Sequence, residues 1–199
     1  MLIKIAKTKV SKKKKNNLTN TIQLVQKLKL EELNRIDVET FKKVEKIPLV
    51  IILDNIRSMH NVGAAFRTAD AFLIEKIILC GITPQPPHRE IHKAALGATE
   101  SVDWSHEAET NTAIADLKSR GYEIIGIEQT TGSQLITDFT IDRSKKYALI
   151  LGNEVEGISD EVLPNIDVFL EIPQLGTKHS LNVSVCAGIV MWEFAKALK

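Results

Sequence analysis

The sequence predicts an α/β fold, a parallel sheet with helices on both faces, and three observations carry that expectation. Short apolar runs rich in branched residues recur from Pro48 onward. Segments of helical period lie between them. Polar, often glycine-containing clusters fall where a run ends or the next helix begins. Strands covered on both faces read as continuous apolar runs, and their alternation with helices marks a parallel sheet.

The first 46 residues have a different texture. They hold 13 Lys/Arg against 5 Asp/Glu, a balance of +8 that the rest of the chain offsets with −7. Residues 1–46 therefore read as a basic, partly helical extension and residues 47–199 as the main domain. Lys12 to Asn17 is low in complexity and reads as mobile. From Leu18 to Lys43, Ile22, Val25, Leu28, Leu33 and Ile36 keep an imperfect helical period, which predicts one or two helices. A basic arm on a mildly acidic body suits a polyanion, whose neutralised phosphates release counterions, although a solubilising tail has the same composition.

Beyond Pro48 the runs 49–53, 76–80, 122–127, 147–152 and 168–172 predict strands. Residues 61–72, 88–96 and 112–121 predict the helices between them, the last closed by Gly121 after an Asp116–Arg120 pair at i, i+4. A final helix, from about Leu181 to Leu198, is apolar almost all round in its first half (Val183, Val185, Cys186, Ala187, Ile189, Val190, Met191, Trp192). Such a helix needs cover on every side, so a subunit interface is expected there. Cys80 and Cys186 sit in apolar segments and read as structural. With no apolar run of about 18 residues and no apolar leader, the expected setting is the cytoplasm, away from membranes.

Several catalytic patterns fail on inspection. The spacing from Gly152 to Gly157 mimics a phosphate-binding loop, but Ile158 and Ser159 stand where Lys and Ser/Thr are needed. No G-x-G-x-x-G follows a strand, which counts against a nucleotide-dependent oxidoreductase. His88 and His92 have metal spacing but no third ligand and the wrong order for a zinc protease, so no metal is expected. Ser180 lacks a nucleophile elbow.

Three clusters remain, each at a strand end: Asp54 to Thr68 with Asn61 and Arg67, Leu151 to Gly157 with Glu154, and Ile172 to Ser184 with Ser180 and Asn182. Individually they read as caps and turns: Asn61 is a good N-cap, and Ser180 and Asn182 suit the start of the last helix. Open parallel sheets, however, bind ligands beyond the carboxyl ends of their strands. In order and wording, N61-x-G63-x-x-x-R67, L-G-N153-E154-x-E156-G157 and I172-P…S180-L-N182-V-S184 resemble the SpoU-type (TrmH-type) branch of the SPOUT RNA methyltransferases, over about residues 48–198.

That resemblance implies a parallel sheet with a C-terminal trefoil knot, a homodimer joined through the last helix, and S-adenosylmethionine as methyl donor. It implies transfer of the methyl group to a ribose 2′-hydroxyl of transfer or ribosomal RNA. The donor would meet Gly152, Ile172 and Leu181, with Gln129 and Thr130 as further contacts. Arg67 would be the principal catalytic residue, with Asn61, Glu154, Ser180 and Asn182 around the ribose and holding Arg67, Glu154 as its ion-pair partner. Many relatives carry a separate N-terminal RNA-binding domain, whereas this chain offers a short basic arm. An arginine keeps its proton, with a pKa above about 12. Arg67 is therefore expected to stabilise developing alkoxide charge and grip a phosphate rather than act as a base. His60 and His179 are lesser candidates for the base. The alternative, a non-catalytic RNA-binding protein on the same scaffold, would be expected to lack Arg67, Glu154 or Asn182, all of which are present.

Overall fold

The computed structural model describes residues 26–199. The Lys12 to Asn17 stretch and the start of the Leu18 to Lys43 segment lie outside the described residues. Leu30–Leu33 forms a 3-10 turn that ends at Asn34 in the left-handed conformation (φ 48°). Residues 36–199 form one compact unit. Its first element, α1 (Val38–Lys43), starts at Asp37, whose carboxylate accepts from the Thr40 amide at 2.7 Å. Phe41 of α1 is buried in the core of this unit, with the Lys46 ammonium 4.5 Å from its ring centroid.

Seven parallel strands form the sheet: β1 (Ile47–Asp54), β2 (Ile74–Cys80), β3 (Asp103–Glu107), β4 (Tyr122–Ile127), β5 (Gln134–Leu135), β6 (Lys146–Leu151) and β7 (Val168–Glu171). Their order is β3-β2-β1-β6-β4-β7-β5. The helices are α2 (Met59–Ala71), α3 (Arg89–Ala95), α4 (Ala98–Ser101), α5 (Thr110–Ser119) and α6 (Val183–Leu198). Side chains alternate across a strand, so β1 supplies both cores. Leu49, Ile51 and Leu53 join Phe66, Ile91, Val190 and Phe194 on one face, while Val50 and Ile52 join Ile114, Leu117 and Val162 on the other. The expected α/β sheet covered on both faces is what forms.

Two strands escaped the sequence reading. β3 (Asp-Trp-Ser-His-Glu) is an edge strand that needs no continuous apolar run, and β5 has two residues. Elsewhere the shifts are small. The first long helix begins at Met59 because Ser58, not Asn61, is its N-cap, accepting from the Asn61 amide at 3.3 Å. The last helix begins at Val183 rather than Leu181. α5 stops as expected, with Gly121 at φ 82° and Arg120 Nη1 3.3 Å from Asp116 Oδ2.

Gly63 has a packing reason as well as a place in a motif. A Cβ there would lie 2.5 Å from the Ile91 carbonyl oxygen and 2.7 Å from Ala94 Cβ, so any side chain would force α2 and α3 apart. On its other flank α2 runs alongside α6. Asn61 and Ala65 sit beside Val183 and Ala187, and the Phe72 and Trp192 rings lie 5.5 Å apart. Among the described residues, no helix is long and apolar enough to cross a membrane.

Candidate active site

The carboxyl ends of β4, β6 and β7 open on a cavity of about 250 Å³. Of the expected donor contacts, Gly152, Ile172, Leu181 and Gln129 line it and Thr130 does not; Glu154 and Ser180 line it as well. The cavity owes its shape to the 152–158 turn. Gly157 has φ 74°, and the Asn153 and Gly157 backbones exchange hydrogen bonds at 2.8 and 3.0 Å. A Cβ on Gly152 would fall 2.1 Å from the Gly157 carbonyl carbon and the Ile158 nitrogen, so only glycine allows the turn to close against the strand end. The phosphate-loop-like glycine spacing is thus a feature of this turn.

Beside the cavity, the three polar clusters join in one hydrogen-bonded chain. Asn182 Oδ1 accepts from the Ser184 and Val185 amides at 2.9 and 3.4 Å, capping α6. Its Nδ2 donates to Asn61 Oδ1 at 3.2 Å, and Asn61 Nδ2 donates to Glu154 Oε1 at 2.8 Å. Glu154 also accepts from the Arg57 amide at 3.0 Å and the Ser58 amide at 3.1 Å. Burial pushes the Glu154 carboxyl up, but the Arg57, Asn61 and Ser58 hydrogen bonds outweigh it and hold its pKa below the usual glutamate value. Each asparagine amide nitrogen spends one proton on the chain and keeps a second to offer. The cluster can therefore present N–H donors to an oxygen that gains negative charge.

Arg67 stands apart. It is exposed, and among the described residues it makes neither a hydrogen bond nor an ion pair with the cluster. The expected Arg67–Glu154 pair does not form within the chain, for two reasons. Glu154 already has three N–H donors. Six residues along α2 turn Arg67 roughly a third of a revolution away from Asn61. Ser180 is exposed at the cavity mouth and caps nothing; of the two candidate caps, only Asn182 serves. His88 caps α3 instead of standing free as a ligand, its Nδ1 accepting from the Glu90 amide at 3.2 Å.

Comparison with known proteins bears directly on this arrangement. The model of the SpoU rRNA methylase family matches residues 48–192. The chain belongs to that family. A 23S rRNA (guanosine-2′-O-)-methyltransferase, RlmB, of Neisseria meningitidis serogroup B is 32% identical over 155 residues, 78% of this chain and 61% of that protein. The chain thus spans about six-tenths of the length of that relative. Among solved structures, the AdoMet-bound rRNA methyltransferase from Sinorhizobium meliloti has a TM-score of 0.71 at 29% identity, covering 80% of this chain and 60% of that one. The A. aeolicus TrmH/SpoU tRNA modifying enzyme has a TM-score of 0.70 at 26% identity, covering 80% and 79%.

In this SpoU-family chain, three residues that sequence reasoning gave no role, Asp54, Asn55 and Glu128, shape the site together with Asn153 of the second motif. Asp54, wholly buried at the end of β1, accepts from Thr110 Oγ1 at 2.5 Å, Ser159 N at 2.9 Å and Asn55 Nδ2 at 3.1 Å. Asn55, at φ 53°, takes the Ile82 amide on its own side-chain oxygen and donates to Ser159 Oγ. Asn153 Nδ2 donates to the Asn55 carbonyl at 2.7 Å. Glu128 Oε2 accepts from the Ile158 amide at 3.2 Å, beneath Gly157. Together they tie the β1 and β4 ends to the 152–159 turn. The available signal was a strand that stays apolar until it ends in Asp-Asn.

Proposed function

We propose that this chain is an S-adenosylmethionine-dependent RNA methyltransferase that acts on a ribose 2′-hydroxyl of transfer or ribosomal RNA. The observation that carries this reading is the chain Asn182–Asn61–Glu154, which unites the three family motifs at the rim of the cavity. The cavity suits the donor chemically. Its lining includes the carboxylates Glu128, Glu154, Glu156 and Glu171, no Lys or Arg, and the apolar side chains Ile127, Leu151, Ile172 and Leu181. An anionic wall favours a cationic sulfonium, and apolar surfaces accept an adenine. The same wall opposes the diphosphate of a nicotinamide dinucleotide. Relatives support the reading: the Sinorhizobium meliloti structure is AdoMet-bound, and the Neisseria protein is named for guanosine 2′-O-methylation.

In this reading the donor supplies the methyl group from its sulfonium, and the protein orients the acceptor. Gly152, Ile172, Leu181 and Gln129 hold the donor. Asn61 and Asn182 direct their spare N–H groups, and Ser180 its hydroxyl, at the ribose. Glu154 fixes Asn61; held ionised by three donors, it is a poor proton acceptor. Arg67 is the cationic group for the alkoxide and an adjacent phosphate. The segment 172–182 belongs to a trefoil knot, a reading supported by the way 152–157 and 172–181 share one cavity before α6 returns to α2 and β1. The methyltransferase domain, expected over 47–199, extends back to residue 36, because Phe41 of α1 is buried in its core, and the basic residues before it bind RNA.

The protein acts as a homodimer through α6. Val185, Ile189 and Trp192 form a stripe on its outer face and are 52%, 37% and 51% exposed, too apolar to leave to water. Arg67 is exposed on α2 and, among the described residues, bonds nothing in its own chain's cluster, so each protomer lends its Arg67 to the partner's site. Calorimetry tests the donor assignment. S-adenosylmethionine or its demethylated product is expected to bind and NAD is not; the reverse would remove the methyltransferase reading.

A further inference from the structure

We infer that the groove between α3 and β3 holds a base of the single-stranded RNA that flanks the methylated nucleotide. This rests on the RNA methyltransferase reading and extends it to a second contact, outside the donor cavity. The groove has a volume of about 530 Å³ and is lined by Trp104, His88, Arg89 and His92, with the Pro86–Pro87 segment forming part of its wall. Glu100 is the carboxylate among its lining residues.

Three observations favour an RNA strand. The first is the platform. Trp104 is half-buried, held edge-on by Phe66 with ring centroids 6.5 Å apart, and still lines the groove. A fixed aromatic ring beside a guanidinium is a stacking site for an unpaired base. The second is charge. Arg89, His92 and Lys93 share the exposed side of α3, and none forms an ion pair among the described residues. They stand on a body whose overall balance is −7. Arg89 and Lys93, unpaired cations on an otherwise acidic domain, match a phosphate backbone. The third is position. His60, the neighbour of Asn61, lies 3.4 Å from Glu90, the neighbour of Arg89. Among the described residues, its lining includes none from α2 or α6. A strand leaving the ribose at Asn61 and Asn182 would cross α3 over Arg89 and Lys93 and reach the groove.

The test uses the full chain and four variants: Trp104→Phe, which keeps an aromatic ring against Phe66, Trp104→Ala, Arg89→Ala and His92→Ala. Short single-stranded oligoadenylate is titrated while tryptophan emission is read, and methyl transfer to total tRNA and ribosomal RNA is measured on the same preparations. Oligoadenylate is expected to quench the wild-type protein, and Trp104→Phe should lose that quench while keeping most of the affinity. Trp104→Ala should weaken oligoadenylate binding and raise KM for RNA by about tenfold, the scale of one lost base stack. Arg89→Ala should lower the salt slope of binding by about one unit, and His92→Ala should raise KM with kcat unchanged. Undiminished quenching in Trp104→Phe, or transfer to RNA whose KM ignores Trp104→Ala and Arg89→Ala, overturns the groove and leaves the enzyme standing. Absence of both RNA binding and methyl transfer in the wild type overturns the two readings together.

Discussion

Asn182 and Asn61, 121 residues apart in sequence, meet through a 3.2 Å hydrogen bond in which the Asn182 amide donates to the Asn61 carbonyl oxygen. The direction of that bond is set from both ends. Asn182 must present its oxygen to the first amides of α6, and Asn61 must present its nitrogen to Glu154. The second proton on each amide is thereby aimed by the fold rather than left to rotate.

Asn182→Asp separates capping from catalysis. A carboxylate still accepts from the Ser184 and Val185 amides and suits a helix N-terminus. It can no longer donate to Asn61, and it adds a second charge near Glu154. The thermal midpoint is expected to stay near wild type while methyl transfer falls by about a hundredfold. A variant that is both stable and active would reduce Asn182 to a cap.

Glu154→Gln tests why that position is a carboxylate. A carboxamide would turn one N–H group toward a backbone N–H donor, so the Arg57, Ser58 and Asn61 contacts cannot all survive. The variant should lose stability and most activity. The pH dependence follows from the depressed pKa. Stabilisation by such a group is present above its unfolded value and is lost as pH falls through the folded one. Denaturation midpoints of wild type and Glu154→Gln should therefore differ by a constant amount down to about pH 4.3, the ordinary glutamate value, and converge below it. Convergence at higher pH would contradict the assignment.

Arg67→Ala should nearly abolish transfer with donor affinity intact, and Arg67→Lys should not restore it, because a point charge does not reproduce a planar fork. Sharing between protomers has its own signature. Co-expressed Arg67→Ala and Asn182→Asp chains, purified as the mixed dimer by two different tags, would hold one site with both lesions and one with neither. Recovered activity is expected; an inactive mixed dimer would place Arg67 in the site of its own chain.

Asp54→Asn is expected to destabilise the fold and loosen donor binding together. One carboxylate oxygen takes the Ser159 amide and the other the Thr110 hydroxyl and the Asn55 amide. An amide group in that buried place faces at least one donor with a donor, a mismatch of about 1–3 kcal/mol. Chemical denaturation and calorimetry with S-adenosylmethionine measure the two effects; a change in neither would make the link to the 152–159 turn idle.

The sequence made the central strands and the tight 152–157 turn legible because both are local statements, whereas the expected donor contacts rested on the family resemblance. A run such as 49–53 is buried on both faces, and glycines at 152 and 157 mark a tight turn wherever they meet it. The polar chain was legible only as three separate clusters, since nothing within any one of them shows that Asn61 bonds Glu154 and Asn182. Arg67 was placed with them by motif, but six residues of helix turn it elsewhere. β3 was hidden because an edge strand carrying Trp104 and His106 among polar neighbours has no apolar run to announce it. Glu128 and Asp54 were hidden because their partners, Ile158 and Ser159, offer backbone amides that no side-chain pattern records.

The most direct test of the central claim is to incubate the protein with isotopically labelled S-adenosylmethionine and separate pools of transfer and ribosomal RNA, then digest each RNA to nucleosides and identify the labelled species by mass spectrometry. The proposed function predicts label on the ribose, as 2′-O-methylated nucleoside, that disappears with Arg67→Ala and Asn182→Asp. Label on a base, or none in either RNA from a protein that binds the donor, would contradict it.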